Sequence, residues 1–295
     1  MPVSIRPLHP VFVGEVAGVD CRRSLSLEEV AAIEAGMDRY AVLVFRDQRV
    51  TDDEQLAFTR HFGELEAYRT PGHVRRRDEQ RLGPGMADFS NLDKHGNIMP
   101  ADDRVWFFKL ADRLWHSDSS FRPVPAKYSL LSARVLPSWG GNTEFADMRA
   151  AYDALDRRTK TEIDDLVCLH SLIYSRQAIV FTELSDEETA AFTPVRQRLV
   201  RTHPVTGRKS LFLSAHAGAI EGWTIPEARM FLRDLMEHAT GPKFVYSHPW
   251  RPGDLVMWDN RQVMHRARRF DDRNEIRDMR RTTLAGDVPT IEQAA

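Results

Sequence analysis

Two histidines and one aspartate are the residues of this chain whose types and spacing could do chemistry. His116 and Asp118 lie two residues apart in the segment LWHSDSSF (114–121), and His265 follows a predicted strand near the C-terminus. In an extended chain, residues i and i+2 point to the same face. Two histidines and a carboxylate leave three positions of an octahedron open, which suits an iron(II) ion that must also hold a cosubstrate and O₂.

This spacing alone does not establish a metal site. With 11 histidines and 43 acidic residues in 295, chance gives about 1.6 histidines followed by an acid at the second position. The alternative, favoured on spacing alone, is that His116 and His265 are structural polar residues at the ends of strands.

The arginine cluster RDMRRTT (277–283) is the second candidate. If this segment is a strand, Arg277, Met279 and Arg281 share one face, and Arg280 points away from it. At about 3.3 Å per residue, Arg277 and Arg281 lie roughly 13 Å apart, and each could bind a separate carboxylate with both ends of its guanidinium. The alternative is an exposed, arginine-rich strand edge that prevents aggregation.

The elements that must position these residues are predicted from caps and periodicity. Ser26 and Thr51 each begin a capping box, which predicts two helices, and Ala41–Phe45 is a buried strand between them. Short β-like runs and helical segments alternate after Leu114. The predicted strands are 128–135, 211–214, 244–250, 255–258 and 282–285, and the predicted helices are 147–166, 185–192 and 224–239. Many short strands predict a sandwich or a barrel with helices packed outside it.

Residues 66–113 lack clear periodicity, and a stretch of this length is usually disordered or a functional lid. It contains Arg75–Arg77 and the aromatic run Trp106–Phe108. Because nothing marks a boundary between domains, we expect one catalytic domain over residues 1–295, with a lid or insert at about 66–113.

The composition excludes several classes of protein. The 41 basic residues, 35 of them arginine, are balanced by 43 acidic ones, which argues against a general nucleic-acid binder. The longest apolar runs are far too short for a membrane helix, and the N-terminus lacks the apolar region of a secretory signal. The two cysteines, Cys21 and Cys168, fit a reducing compartment, so we expect a cytoplasmic protein.

The ordered motifs along nearly the whole chain resemble a known family. The sequence is similar to the iron(II)- and 2-oxoglutarate-dependent dioxygenases of the 2,4-dichlorophenoxyacetate dioxygenase type, within the TauD/TfdA family. The resemblance is carried by LWHSDSSF (114–121), GGNTEFADMRAAYDAL (140–155), LVRTHP (199–204), HAT (238–240), DLVMWDN (254–260) and the arginine cluster. It implies a mainly β fold with flanking helices and a double-stranded β-helix, or jelly-roll, core. It also implies Fe(II), 2-oxoglutarate as cosubstrate, O₂, and ascorbate as an activator.

The resemblance implies a role for each matching residue. His116, Asp118 and His265 correspond to the iron ligands, Thr143 and Arg277 to the residues that hold the distal carboxylate of 2-oxoglutarate, and Arg281 and His216 to substrate-binding residues. His203 falls in a family motif, but a structural role is equally expected of it. Trp258 is interpreted as core beneath the His265 loop.

Two departures from the family pattern concern the loop and the lid. The interval from His265 to Arg277 is one residue longer than in near relatives, within Asp271–Asn274, and Asn97 stands where a lysine is expected, with Lys94 close by. Trp106–Phe108 could line the substrate pocket or belong to the core.

The reaction implied is hydroxylation of the carbon next to the carboxylate of an aryloxyalkanoate, which yields a phenol, glyoxylate, succinate and CO₂. The same chemistry on taurine or another sulfonate, an aryloxypropionate or a natural aryl-alkanoic acid is the alternative. A nucleic-acid dealkylase, supported only by Arg75–Arg77, and a non-catalytic binder of a small acid are the other hypotheses. The expected partners are a small aromatic carboxylate and further copies of the chain in a homo-oligomer, without nucleic acid or a membrane.

Overall fold

The computed structural model describes residues 2–67 and 80–293 of the chain. Arg75–Arg77 and part of the expected lid therefore lie outside the described residues. The strands are β1 (Ser4–Pro7), β2 (Gly14–Ala17), β3 (Val42–Phe45), β4 (Ala87–Asp88), β5 (Tyr128–Val135), β6 (Thr143–Asp147), β7 (Val167–His170), β8 (Val195–Arg198), β9 (Val200–Thr202), β10 (Lys209–Leu211), β11 (Ala217–Ile220), β12 (Val245–His248), β13 (Leu255–Asp259), β14 (Val263–Ala267) and β15 (Asp278–Thr283). The helices are α1 (Leu27–Tyr40), α2 (Asp52–Arg60), α3 (Arg104–Lys109), α4 (Met148–Asp153), α5 (Arg157–Ile163), α6 (Leu172–Ala178), α7 (Asp186–Ala191) and α8 (Ile225–Ala239).

A seven-stranded sheet with the order β1-β2-β3-β13-β5-β15-β4 forms the larger layer. Its central strands are buried on both faces, which explains the uninterrupted apolar run of β3. Leu43 and Phe45 pack with Ile33 and Met37 of α1, so one face of the sheet is covered by helices.

A smaller sheet with the order β12-β6-β14 packs against the opposite face. Phe145 and Val263 of this sheet pack against Val44, Val256 and other residues of the large sheet, and this cluster is the core between the layers. These two sheets are open and pack face to face, so the sandwich, in the form of a jelly roll, is confirmed and the barrel is not.

A third apolar cluster lies outside the jelly roll, where α4 and α8 pack against β7, β10 and β11. The sheet β11-β7-β8 and the pair β10-β9 extend the molecule on this side. This layer positions the segment that carries His216.

Most of the predicted elements are confirmed, with corrections to their bounds. Both capping boxes form, at Ser26 and Thr51. The predicted helix 147–166 is wrong as one element, because Asp156 caps a second helix, α5, after the first has ended. Strand 282–285 in fact begins earlier, at Asp278, and strand 211–214 ends at Leu211.

The described part of the expected lid is more regular than its sequence indicates. It contains β4, α3 and a 3₁₀ turn over Leu110–Arg113. Asp103 caps α3 by accepting hydrogen bonds from Val105 and Trp106. None of the helices over residues 2–67 and 80–293 is both long and apolar enough to cross a membrane.

Candidate metal and cosubstrate site

His116, Asp118 and His265 converge in the structure. One ligand atom from each lies within 4.8 Å of the others, and all three residues are buried. Nε2 of His116 lies 3.9 Å from Oδ1 of Asp118, and Nε2 of His265 lies 3.7 Å from Oδ2. The structure therefore brings together the three residues that we expected to bind iron.

The two histidines are joined through the backbone. The amide of His116 donates to the carbonyl of His265 at 3.0 Å, and the amide of His265 donates back at 2.9 Å. Their rings lie 4.2 Å apart between centroids. A reciprocal bond of this kind fixes the relative position of two residues that are far apart in sequence.

The carboxylate of Asp118 is held by two further residues, and its backbone by a third. Ser129 of β5 donates its hydroxyl proton to Oδ2 at 2.7 Å, and Arg281 of β15 donates to Oδ1. The amide of Asp118 itself donates to the side chain of Asn260 at 3.1 Å. Burial opposes the charge on Asp118, but Arg281 and the histidines outweigh burial and lower its pKa to about 2. The carboxylate is thus ionised, as a metal ligand must be.

The protonation of the two histidines also fits a metal. Nδ1 of His116 lies 2.8 Å from the carbonyl of Leu114, and since a carbonyl only accepts, Nδ1 carries the proton. In a neutral ring with this tautomer the lone pair is on Nε2, the atom nearer Asp118. Burial, and then His116, hold the pKa of His265 well below its usual range, so this ring is neutral. Neutral imidazoles and a carboxylate form the donor set that non-haem iron(II) takes.

Arg281 lies in this cluster, and its strand neighbour Arg280 does not. Besides its bond to Asp118, the Arg281 guanidinium lies over the ring of Phe89, 4.3 Å from the ring centroid. Arg280 projects from the other face of β15 and pairs with Asp52 of α2 at 2.7 Å. The opposite orientation predicted for Arg280 and Arg281 is confirmed. Arg277 lies before β15, and a register shift between Asp278 and Met279 interrupts the alternation predicted to extend to it.

Arg277 is buried beside the turn that precedes β6. Its Nε donates to the carbonyl of Gly141 at 3.2 Å, and no ion pair to it is found among the described residues. Burial lowers its pKa to about 10, against the opposing effect of Asp112. A guanidinium in this environment is favourable only if an anion binds to it.

The loop before Arg277 is held by a residue that the sequence did not indicate. The Asn91 side chain donates to the carbonyls of Asp272 and Glu275 and accepts from the amide of Arg277. These three bonds fix the backbone of Arg277 at the end of the loop. Asn97 and Lys94, by contrast, lie in an exposed turn after Asp93.

Thr143 begins β6 and is buried. Its hydroxyl accepts a hydrogen bond from the indole of Trp250 at 3.0 Å. Gly141 places Thr143 and Arg277 close in the fold, because the glycine is two residues from one and bonded to the other. Glycine is favoured at residue 141, because its φ is +67° and a Cβ here would lie 3.2 Å from Nε of Arg277.

His216 lies beside the cluster, whereas His203 bonds residues outside it. The ring of His216 lies 6.0 Å from that of His116 and meets Phe121 edge to face. His203 is bonded to Asp259 at 3.2 Å through Nε2 and accepts from the backbone of Thr206 through Nδ1. Trp258 lies in the core against the ring of His265, as expected.

The aromatic run of the lid divides between two environments. Phe108 packs against Phe181 and carries the guanidinium of Arg176 on its face, at 3.8 Å from the centroid. The guanidinium of Arg273 lies over the ring of Trp106, 3.5 Å from the ring centroid.

Three residues of the site were not predicted from the sequence: Ser129, Asn91 and Phe89. They are polar or aromatic side chains in strands or turns, and only their contacts reveal them.

The jelly roll and the His-Asp-His cluster together define a non-haem iron oxygenase that depends on 2-oxoglutarate. Residues 4–283 match the model of the family described as taurine catabolism dioxygenase TauD, TfdA. The chain belongs to this family.

Individual relatives are similar over almost the whole chain. An alpha-ketoglutarate-dependent 2,4-dichlorophenoxyacetate dioxygenase of Burkholderia sp. (strain RASC) is 47% identical over 288 residues, covering 97% of this chain and 95% of the relative. An (S)-phenoxypropionate/alpha-ketoglutarate-dioxygenase of Sphingobium herbicidovorans is 38% identical, with 98% and 97% covered. The crystal structure of AAD-2 in complex with Mn(II) and N-oxalylglycine superimposes with a TM-score of 0.95 at 58% identity, covering 98% of this chain and all of that one.

Proposed function

We propose that this protein hydroxylates the carbon next to the carboxylate of an aryloxyalkanoate such as 2,4-dichlorophenoxyacetate, with 2-oxoglutarate and O₂ as cosubstrates. The observation that carries the proposal is the guanidinium of Arg281 inside the His-Asp-His cluster, in contact with Asp118. A substrate carboxylate bound there would lie beside the metal ligands. The aryloxyalkanoate dioxygenases among the relatives support this substrate class.

His116, Asp118 and His265 would hold iron(II) through two nitrogens and one carboxylate oxygen. Bound iron would supply the oxidising chemistry that 2-oxoglutarate and O₂ drive in this family. The residues of the chain orient the reactants around it. Ser129 and Asn260 keep Asp118 in place, and the carbonyl of Leu114 sets the tautomer of His116.

Arg277 and Thr143 would bind the distal carboxylate of 2-oxoglutarate. Arg277 is buried and has no ion-pair partner within residues 2–67 and 80–293, and a carboxylate would neutralise its charge. The Thr143 hydroxyl accepts from Trp250, so its own proton is available to donate to a carboxylate oxygen.

Arg281 would bind the carboxylate of the substrate, and the carbon bonded to that carboxylate would face the metal ligands. This orientation selects which C–H bond is oxidised. Oxidation places a hydroxyl group on a carbon that already carries the aryl ether oxygen. In the resulting hemiacetal the bond between this carbon and the aryl oxygen breaks. The electron pair leaves with the aryl oxygen, the hydroxyl oxygen forms the carbonyl of glyoxylate, and the hydroxyl proton is transferred to the aryl oxide, which gives the phenol.

A substrate screen with iron(II), ascorbate and 2-oxoglutarate tests the proposal. Succinate and phenol should form together from aryloxyacetates, and less succinate should form with taurine, aryloxypropionates and aryl-alkanoic acids. If another acid gives succinate and aryloxyacetates give no phenol, the substrate class is wrong while the reaction class stands.

The proposal also covers the domain organisation, the location and the oligomeric state of the protein. We infer one catalytic domain, with the region around residues 66–113 contributing to the substrate pocket, in a cytoplasmic homo-oligomer. Sedimentation velocity on the full chain would give the oligomeric state directly. A monomer at micromolar concentration would exclude the homo-oligomer.

A further inference from the structure

The hydroxyl group of Ser175 forms three hydrogen bonds, and one of them is to His216. Oγ of Ser175, in α6, lies 3.0 Å from Nδ1 of His216, 2.9 Å from the carbonyl of Leu172 and 2.9 Å from Nη1 of Arg176. Ser175 is fully buried, so water does not replace any of these partners. All three contacts must be satisfied by one hydroxyl group.

A hydroxyl has one proton to donate and two lone pairs to accept with. The carbonyl of Leu172 can only accept, so it takes the hydroxyl proton. Arg176 can only donate, so it occupies one lone pair. The second lone pair is left for Nδ1 of His216, which satisfies the contact only by donating. The one arrangement that satisfies all three bonds therefore has a proton on Nδ1.

Arg176 fixes this arrangement. Its guanidinium is buried on the face of Phe108, and within residues 2–67 and 80–293 no carboxylate forms an ion pair with it. Held there, it keeps Oγ of Ser175 in one rotamer. It is also a positive charge one hydroxyl away from the imidazole, which disfavours a second proton on His216.

The remaining nitrogen of His216, Nε2, is the one available to the site. The ring lies beside His116 and Phe121. Its backbone is fixed because its carbonyl accepts from the amide of Ser171 and its amide donates to Oγ of Ser214. A neutral ring with its proton on Nδ1 offers a lone pair at Nε2. This atom accepts hydrogen bonds and does not donate to a carboxylate or to an ether oxygen.

We propose that Ser175, anchored by Arg176, is a positioning residue that fixes the proton of His216 on Nδ1, so that Nε2 accepts a hydrogen bond from the hydroxyl group of the hydroxylated substrate. An aryloxyalkanoate has no donor before the reaction, whereas its hydroxylated form has one. His216 therefore retains the hemiacetal in the site, and Nε2 accepts its hydroxyl proton as the bond between the α-carbon and the aryl oxygen breaks. Phenol and glyoxylate then form faster in the site than in solution. This inference rests on the proposed function for the identity of the hydroxylated substrate.

The tautomer is measured first, without turnover. The full chain is labelled with ¹⁵N-histidine and loaded with zinc(II), a diamagnetic replacement for iron, and long-range ¹H–¹⁵N spectra are recorded. His216→Gln assigns the signals. We expect a protonated Nδ1 and an unprotonated Nε2 in the parent protein and a shift towards protonated Nε2 in Ser175→Ala. A proton on Nε2 in the parent protein would overturn the inference.

The retention of the hemiacetal is measured by rapid quenching. Phenoxyacetates with electron-donating ring substituents are used, because their hemiacetals break slowly in solution. Phenol should keep pace with succinate in the parent protein and form about fivefold more slowly than succinate in Ser175→Ala and His216→Gln, the effect of about one hydrogen bond. Ser210→Ala is the matched control, since this buried hydroxyl bonds the carbonyl of Arg261 instead.

Phenol that keeps pace with succinate in both variants would overturn the retention of the hemiacetal by His216. Absence of phenol from every aryloxy acid would instead overturn the proposed function, and the tautomer measurement would still stand. The two failures are therefore distinguishable.

Discussion

Arg281 donates a hydrogen bond to Asp118, so the guanidinium that we assign to the substrate touches the carboxylate that we assign to the metal. A positive charge and a metal cation would share one anionic side chain. The sites for the two ligands are therefore coupled through a single pair of residues.

Replacing Arg281 with methionine should have opposite effects on these two ligands. The metal would no longer compete with the guanidinium, so we expect Mn(II) to bind about tenfold more tightly in calorimetry. The aryloxyacetate KM should rise by about 10- to 100-fold, the loss of a charge-assisted bond, while the cosubstrate KM changes little. Arg280→Met, on the opposite face of the strand, is the control. Equal effects on both KM values would contradict the assignment.

Removing a metal ligand should abolish both metal binding and turnover. Asp118→Asn and His265→Ala each take one of three donors from the cluster. We expect no Mn(II) binding at micromolar concentration and succinate formation reduced by at least about 1000-fold, because three donors define the site. His95→Ala, in an exposed turn, should leave both unchanged. Wild-type metal affinity in Asp118→Asn would show that the ligands lie elsewhere.

Gly141→Ala should weaken the binding of 2-oxoglutarate. A Cβ at this position would lie 3.2 Å from Nε of Arg277, at a backbone φ of +67°. Gly207 has the same φ, and a Cβ there meets nothing within 4 Å, so Gly207→Ala isolates the backbone strain. We expect both variants to lose about 1 kcal/mol of unfolding free energy. The KM for 2-oxoglutarate should rise several-fold in Gly141→Ala and stay unchanged in Gly207→Ala. A similar rise in both variants would exclude the contact with Arg277 as the cause of the higher KM.

Asn91→Ala should loosen the loop before Arg277. It removes two bonds to the carbonyls of Asp272 and Glu275 and one from the Arg277 amide. We expect a loss of about 2 kcal/mol in urea unfolding, since buried partners are left unsatisfied, and a higher cosubstrate KM. Asn274→Ala is the control in the same loop, because the exposed Asn274 side chain bonds the carboxylate of Asp271 and does not contact Arg277. An unchanged KM in Asn91→Ala would separate the loop from cosubstrate binding.

Asp259 should make stability depend on pH on the acid side. Burial opposes its charge, but Arg261 and His203 outweigh burial and hold its pKa well below the usual range. Its stabilisation is therefore complete above the unfolded pKa of about 4 and is lost as the pH falls from there towards the lower folded value. Asp259→Asn should lower the free energy of unfolding by about 3 kcal/mol at pH 7, because Arg261 is left unpaired. The difference in unfolding free energy between the parent protein and the variant should become smaller below pH 4. Urea unfolding from pH 3 to 7 measures this difference, and Asp53→Asn, at an exposed position, is the control. A difference in unfolding free energy that is constant with pH would contradict the role of Asp259.

Elements with local signals could be predicted from the sequence. The Ser26 and Thr51 caps, the strand Tyr128–Val135 and the helix after Thr224 carry their information in neighbouring residues. Short strands such as Val200–Thr202 could not be predicted, because three residues carry too little periodicity and depend on pairing with distant strands.

The same distinction applies to the site. His116 and Asp118 share a local motif, whereas the pairing of His116 with His265 depends on the whole jelly roll. Family resemblance supplied that pairing in advance. The contacts of Ser129, Asn91 and Ser175 had no sequence signal, since a buried serine or asparagine in a strand, turn or helix looks like any other.

The reciprocal backbone bond between His116 and His265 has a consequence for synthesis on the ribosome. A chain that has emerged only as far as residue 260 contains His116 and Asp118 but no strand to pair with the first histidine. Such a nascent chain lacks one of the three donors, and β14 and β15 are still missing from the two sheets. Metal capture must therefore come after nearly all of the chain has left the ribosome, which protects half-made protein from loading a redox-active ion.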